Sequence, residues 1–195
     1  MTTLRTAFQQ VLATLDLLEI PYFIGGSVAS GSYGLPRQTN DIDIVADFGS
    51  VDVSEFCRVL GSDFYVDEQT VREAIQTGRP FNTIHLQGAL KFDFFPAGAE
   101  GFAQSELARR RYTVSAIRGL EEIEFPVSSA EDVVLAKLIW FRTGGGVSER
   151  QWHDILGVLK VQSNRLEVEY LKTWAARLAV TDLLERAWAE LGSQG

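Results

Sequence analysis

The chain has 195 residues, 46% hydrophobic and 23% charged, values of one globular domain or of a core with a small appendage, and not of a disordered segment. No apolar stretch approaches the ~20 residues a membrane helix needs, and the lone Cys57 excludes an internal disulfide and points to a reducing, cytoplasmic setting. A net charge of −8 argues against a large nucleic-acid footprint, because phosphate contacts need a basic surface.

In chain order, apolar residues at 4, 8, 11, 12, 15 and 18 keep a 3.6-residue period that predicts a helix over 4–19. Asp16 and Glu19 within it do not suit a signal peptide. Pro21 stops this helix, and 22–24 is expected as a short buried strand. It runs into Gly25, Gly26 and Ser27, a turn that opens onto a helix over 27–33, and 34–40 is loop. After the Asp41 strand come a helix over 53–60, with Cys57 as a packed thiol, a strand at 64–66 and a helix over 68–76. A hairpin follows, with strands 82–86 and 90–94 around a three-residue loop. In that register Ile84 opposes Phe92 and Leu86 opposes Leu90, which leaves Asp93 on the other face with Lys91, Thr83 and His85. A helix over 102–110 and strands at 112–117 and 122–125 complete the mixed part, the basic run Arg109 to Arg111 being a solvated helix end. Helices are then predicted over 130–142, 149–161, 166–178 and 181–191, and this change of character divides 1–127 from 128–195.

The chemistry gathers in three places. In a strand, Asp41 and Asp43 share a face while Ile42 and Ile44 take the opposite one, and two parallel carboxylates repel unless a cation lies between them. The turn at Gly25, Gly26 and Ser27 offers free backbone N–H groups to a phosphate, or else simply starts a helix with Ser27 as its cap. It also half-matches a hydrolase nucleophile elbow with His153 as base, a reading that leaves Asp41 and Asp43 idle. Asp93 is either an edge-strand residue held by Lys91 or Thr83, or the third leg of a metal site, since two-metal phosphoryl transfer uses several carboxylates. His85 is a hairpin surface residue or the edge of that site, and no zinc-ligand spacing is present.

Together, Gly25, Gly26 and Ser27, then Asp41-X-Asp43, then an isolated Asp93 resemble the DNA polymerase β-type nucleotidyltransferase superfamily, over about residues 20–96. Within it the chain is similar to small bacterial proteins grouped with abortive-infection type nucleotidyltransferase toxins. That likeness lies in the stretch from Arg37 to Asp41, in Glu131 to Lys137 leading to Arg142, and in Arg150 to Asp154. The resemblance implies an α+β fold, a short twisted mixed sheet with helices on one side and a C-terminal helical bundle closing a nucleotide cleft. It implies a Mg²⁺-dependent enzyme, with Mn²⁺ as substitute, that moves a nucleoside monophosphate from an NTP to a hydroxyl or phosphate of RNA, protein or a small molecule. Asp41, Asp43 and Asp93 would be the catalytic metal ligands, and Gly25, Gly26, Ser27 and Arg37 would hold the triphosphate. Lys137 and Asp154 would face the nucleotide, and a cognate antitoxin would be a partner. The residues alone leave other roles open: Arg37 as a loop charge paired with Asp41, Lys137 as a snorkelling lysine, and Arg150 with Asp154 as a surface i,i+4 pair. The alternative function is a nucleotide-binding regulatory or partner-binding module that does not turn over.

Overall fold

The computed structural model describes residues 3–35, 41–88, 90–114 and 119–192. Helix α1 (Thr3–Leu17) buries Ala7, Phe8, Val11, Leu12 and Leu15, the face its apolar period marks. Past Pro21 the chain enters β1 (Tyr22–Ile24), buried along its whole length. There follow α2 (Gly26–Tyr33), β2 (Asp41–Ala46), α3 (Val53–Leu60), β3 (Phe64–Tyr65), α4 (Glu68–Thr77), β4 (Phe81–His85) and β5 (Leu90–Pro96). Next come α5 (Phe102–Arg109), β6 (Arg111–Val114) and β7 (Glu124–Val127), and then α6 (Ala130–Thr143), α7 (Glu149–Gln162), α8 (Val168–Arg177) and α9 (Thr181–Gly192). Several helices start where a short polar side chain caps a free N–H: Asp52 accepts from Ser54, Asp67 from Thr70, and Ser129 from Asp132.

The fold is α+β. Its sheet has seven strands in the order β3-β4-β5-β2-β1-β7-β6. It is mixed, with β2 parallel to β5 and β1 parallel to β7, while the other neighbours are antiparallel. Ile42, Ile44, Phe92 and Phe94 point into one layer with α3, where Phe56 meets Phe94 at 5.8 Å and Phe81 at 6.3 Å between ring centroids. On that side Phe8 of α1 packs edge-on against Phe125. The opposite face is covered by the C-terminal helices together with α2. There α6 lies across the sheet, with Trp140 against Phe95 at 5.8 Å, and α2 packs against α6 and α7. At the end of α2 a Cβ on Gly34 would stand 3.0 Å from the Val158 backbone nitrogen, so a glycine there lets α2 meet the α7 backbone closely.

Three expectations need correction. The hairpin register is shifted by one residue: Thr83 opposes Phe92, Ile84 opposes Lys91 and His85 opposes Leu90. Phe81, Thr83 and His85 therefore point into the core, and Ile84 shares the Asp93 side. The cause is Phe81, which begins the strand one residue earlier than expected and stacks on Phe94, centroids 5.0 Å apart and planes 8° from parallel. The last strand begins at Glu124 and not at Glu122, because Glu122, with φ of 66°, still belongs to the turn closed by Ile123 N–H donating to Leu120. Arg109 is no solvated helix end either, since its guanidinium meets Glu131, Asp132 and Glu167 and covers the Tyr170 ring at 3.9 Å.

Candidate active site

β2 and β5 run parallel with Asp43 directly beside Asp93 and Asp41 directly beside Lys91. The four side chains share the face opposite Ile42, Ile44, Phe92 and Phe94. Lys91 Nζ lies 2.8 Å from Asp93 Oδ2, so an internal cation already meets Asp93. Burial raises the pKa of Asp43, Asp93 raises it further, and the Lys137 ammonium works against both. Lys91 is shifted upward, first by its hydrogen bond to Asp93 and then by the charges of Asp93, Asp41 and Asp43.

The turn comes up against this pair. Gly25 N–H donates to the Asp43 carbonyl at 2.9 Å, and Gly26, at φ of 55°, opens α2. A Cβ at Gly26 would stand 1.7 Å from Asp43 Oδ2, so no other residue fits without moving the carboxylate. Ser27 is buried inside α2, and the capping position belongs to Gly25, which supplies no side chain. The free N–H groups at this helix start are thus not taken by a cap.

A cleft of about 430 Å³ opens from the turn and Asp43 between the sheet and α6. Its floor is Phe23, Val45 and Phe95, neighbours on β1, β2 and β5, and its roof includes Val133, Ala136 and Trp140. Lys137 reaches it from α6 and is buried, with Nζ 2.8 Å from Asp154 Oδ2 and 3.1 Å from Gln151 Oε1. Asp154 therefore pairs with Lys137 across two helices and not with Arg150 as a surface pair. Arg37 lies outside the described residues. His85 is buried against Phe64 on the core face, away from Asp93. Glu106 and Ser128 line the cleft and were missed by the sequence reading: each is a polar residue in a stretch whose burial is set by distant helices.

Among the described residues no three His, Cys, Asp or Glu side chains converge as a ready-made metal cluster. The donor chemistry nevertheless suits a hard divalent cation such as Mg²⁺: Asp43 and Asp93 stand side by side, Asp41 shares their face, and an ammonium already sits on the outer carboxylate.

No family model and no curated protein matches the chain. Among solved structures, the solution structure of the antibiotic-resistance factor ANT(2'')-Ia aligns over 98% of this chain and 96% of its own, at 18% identity and a TM-score of 0.49. The crystal structure of ANT(2'')-Ia in complex with adenylyl-2''-tobramycin aligns over 91% and 98%, at 19% identity and 0.49. That of the lincosamide antibiotic adenylyltransferase LnuA, lincomycin-bound, aligns over 80% and 96%, at 14% identity and 0.45.

Proposed function

We propose that this cleft binds a nucleoside triphosphate with Mg²⁺ and transfers its nucleoside monophosphate to an acceptor hydroxyl. The observation that carries the reading is the abutment of the α2 start on Asp43, with Gly26 too close to bear a side chain and Asp43 in register with Asp93. A helix N-terminus favours an anion, and two adjacent carboxylates favour a cation, so the place suits a phosphate and a divalent metal together. Gly25, Gly26 and Ser27 would present backbone N–H groups to the β- and γ-phosphates. Asp41, Asp43 and Asp93 would hold the metal, which when bound supplies charge neutralisation of the triphosphate and a lower pKa for the attacking hydroxyl. Asp93 would also help to take the acceptor proton as the new oxygen–phosphorus bond forms and pyrophosphate leaves. Lys137, at the roof, would add positive charge near the phosphates, held in place by Asp154 and Gln151.

One observation favours a second reading, a nucleotide-binding module without turnover: Lys91 already neutralises Asp93. Incubation with each α-labelled NTP, Mg²⁺ and total RNA or lysate decides between them. Label should move to an acceptor with the wild type and not with Asp41→Asn/Asp43→Asn. Tight nucleotide binding with no labelled product from any NTP would establish the second reading instead.

A further inference from the structure

Glu106 has no part in the scheme above, and the fold gives it little reason to be there. It points from α5 into the cleft, is 6% exposed, and among the described residues accepts a single long hydrogen bond, from Ser128 Oγ at 3.5 Å. The arginine one turn along its helix, Arg109, is engaged with Glu131, Asp132 and Glu167. A buried carboxyl so poorly partnered is costly, unless it stays protonated and has a ligand to bond. Ser128 N–H donates to the Ile24 carbonyl, which places Ser128 and Glu106 beside the Gly25 turn, on the flank of the cleft away from Asp93. From that flank an apolar slot extends over Phe23 and Val45, with Val133 and Ala136 above and the edge-on contact of Trp140 with Phe95 closing it. A flat heterocycle has two apolar faces and one hydrogen-bonding edge, and this slot offers the matching surfaces.

We propose that Glu106, as a neutral carboxylic acid, reads the base of the bound nucleotide by donating its O–H to a ring nitrogen and accepting from the neighbouring exocyclic amine, the edge that adenine and cytosine present. An amide side chain makes the same donor-and-acceptor pair to adenine, whereas an ionised carboxylate can only accept and suits guanine, which offers two donors side by side. Burial pushes the Glu106 carboxyl well above its usual range, and the nearby Asp132 pushes it further, against a smaller opposing effect of the Ser128 hydroxyl. Among the described residues, the charged groups that face it are Asp132 and Lys137 on α6, Asp43 on β2 and Arg109 on its own helix. The inference rests on the nucleotide reading.

The test measures binding of ATP, CTP, GTP and inorganic triphosphate, each with Mg²⁺, to wild type, Glu106→Gln and Glu106→Leu across pH 6 to 9. Glu106→Leu should lose about 10-fold or more in ATP affinity, the scale of an unmet buried hydrogen-bond pair, and keep its affinity for inorganic triphosphate. Glu106→Gln should bind ATP within about 3-fold of wild type, because the amide keeps both bonds. Wild-type ATP affinity should fall as pH rises through the raised carboxyl titration, and that of Glu106→Gln should stay flat. If Glu106→Leu does not fold, the glutamine variant and its pH profile carry the test. Unchanged ATP affinity in Glu106→Leu, or a glutamine variant as impaired as the leucine one, would overturn the inference and leave the phosphate site standing. A wild type that binds neither ATP nor inorganic triphosphate would remove the nucleotide reading, and this inference with it.

Discussion

At Gly26 two demands meet in one residue. The backbone is left-handed there, with φ of 55°, and the space where a side chain would begin is already filled by Asp43 Oδ2 at 1.7 Å. Gly26→Ala should therefore cost about 2 kcal/mol or more in urea unfolding, the left-handed conformation supplying roughly 1 and displacement of Asp43 the rest. In an Asp43→Ala background only the backbone part should remain, so the loss should shrink to about 1 kcal/mol. Equal losses in both backgrounds would show that the carboxylate gives way at no cost. Gly26, Asp41 and Asp43 were legible in the sequence because their meaning is local: a Gly-Gly turn and a two-residue strand period need no knowledge of the rest of the chain. Glu106 was not. Its neighbours Gln104, Ser105, Arg109 and Arg110 make α5 look like a surface helix, and Glu106 is buried because β7 and α6 close over the cleft beside it.

A similar contest between local pattern and distant packing decides the β4–β5 hairpin. Rules of apolar alternation put Ile84 inside, yet the strand turns Ile84 outward and buries Thr83 and His85, because Phe81 has the better partner in Phe94. The choice has a cost: Thr83 Oγ1 and His85 Nδ1 are buried with no hydrogen-bond partner among the described residues. Thr83→Val keeps the shape of the side chain and removes the unmet hydroxyl, so it should stabilise the protein by about 1 kcal/mol in chemical denaturation. Were Thr83 on the outer face, as the apolar pattern suggests, the same change would be neutral. A null result would therefore speak against the register itself. Most other strands and helices lie within a residue or two of their predicted bounds, because capping residues, prolines and glycines mark their ends in place, while the far end of the strand expected at 112–117 lies outside the described residues.

At the scale of the whole molecule, a buried apolar cluster runs from Ala7 of α1 to Ala187 of α9, and the cleft lies where α6 crosses the sheet. The ion pair of Lys137 and Asp154 ties α6 to α7 at its roof, with side chains only 5% and 7% exposed. An ion pair so deeply buried adds little to stability compared with apolar residues of the same size, because both charges lose their water, but breaking one half strands the other. Asp154→Leu should thus destabilise the protein by about 3–5 kcal/mol, while Lys137→Met/Asp154→Leu should recover most of that loss. A double variant as unstable as the single one would mean that Asp154 acts through packing and not through its charge. The same pair of variants bears on the nucleotide. In Asp154→Leu the Lys137 ammonium lacks its main counter-charge, and a triphosphate arriving in the cleft supplies one. The rise in melting temperature on adding NTP and Mg²⁺ should then be larger in Asp154→Leu than in wild type, and smaller in the double variant, where no ammonium is left to pair. If instead the ligand shift is the same in all three proteins, Lys137 belongs to the architecture of the roof and the phosphates lie out of its reach.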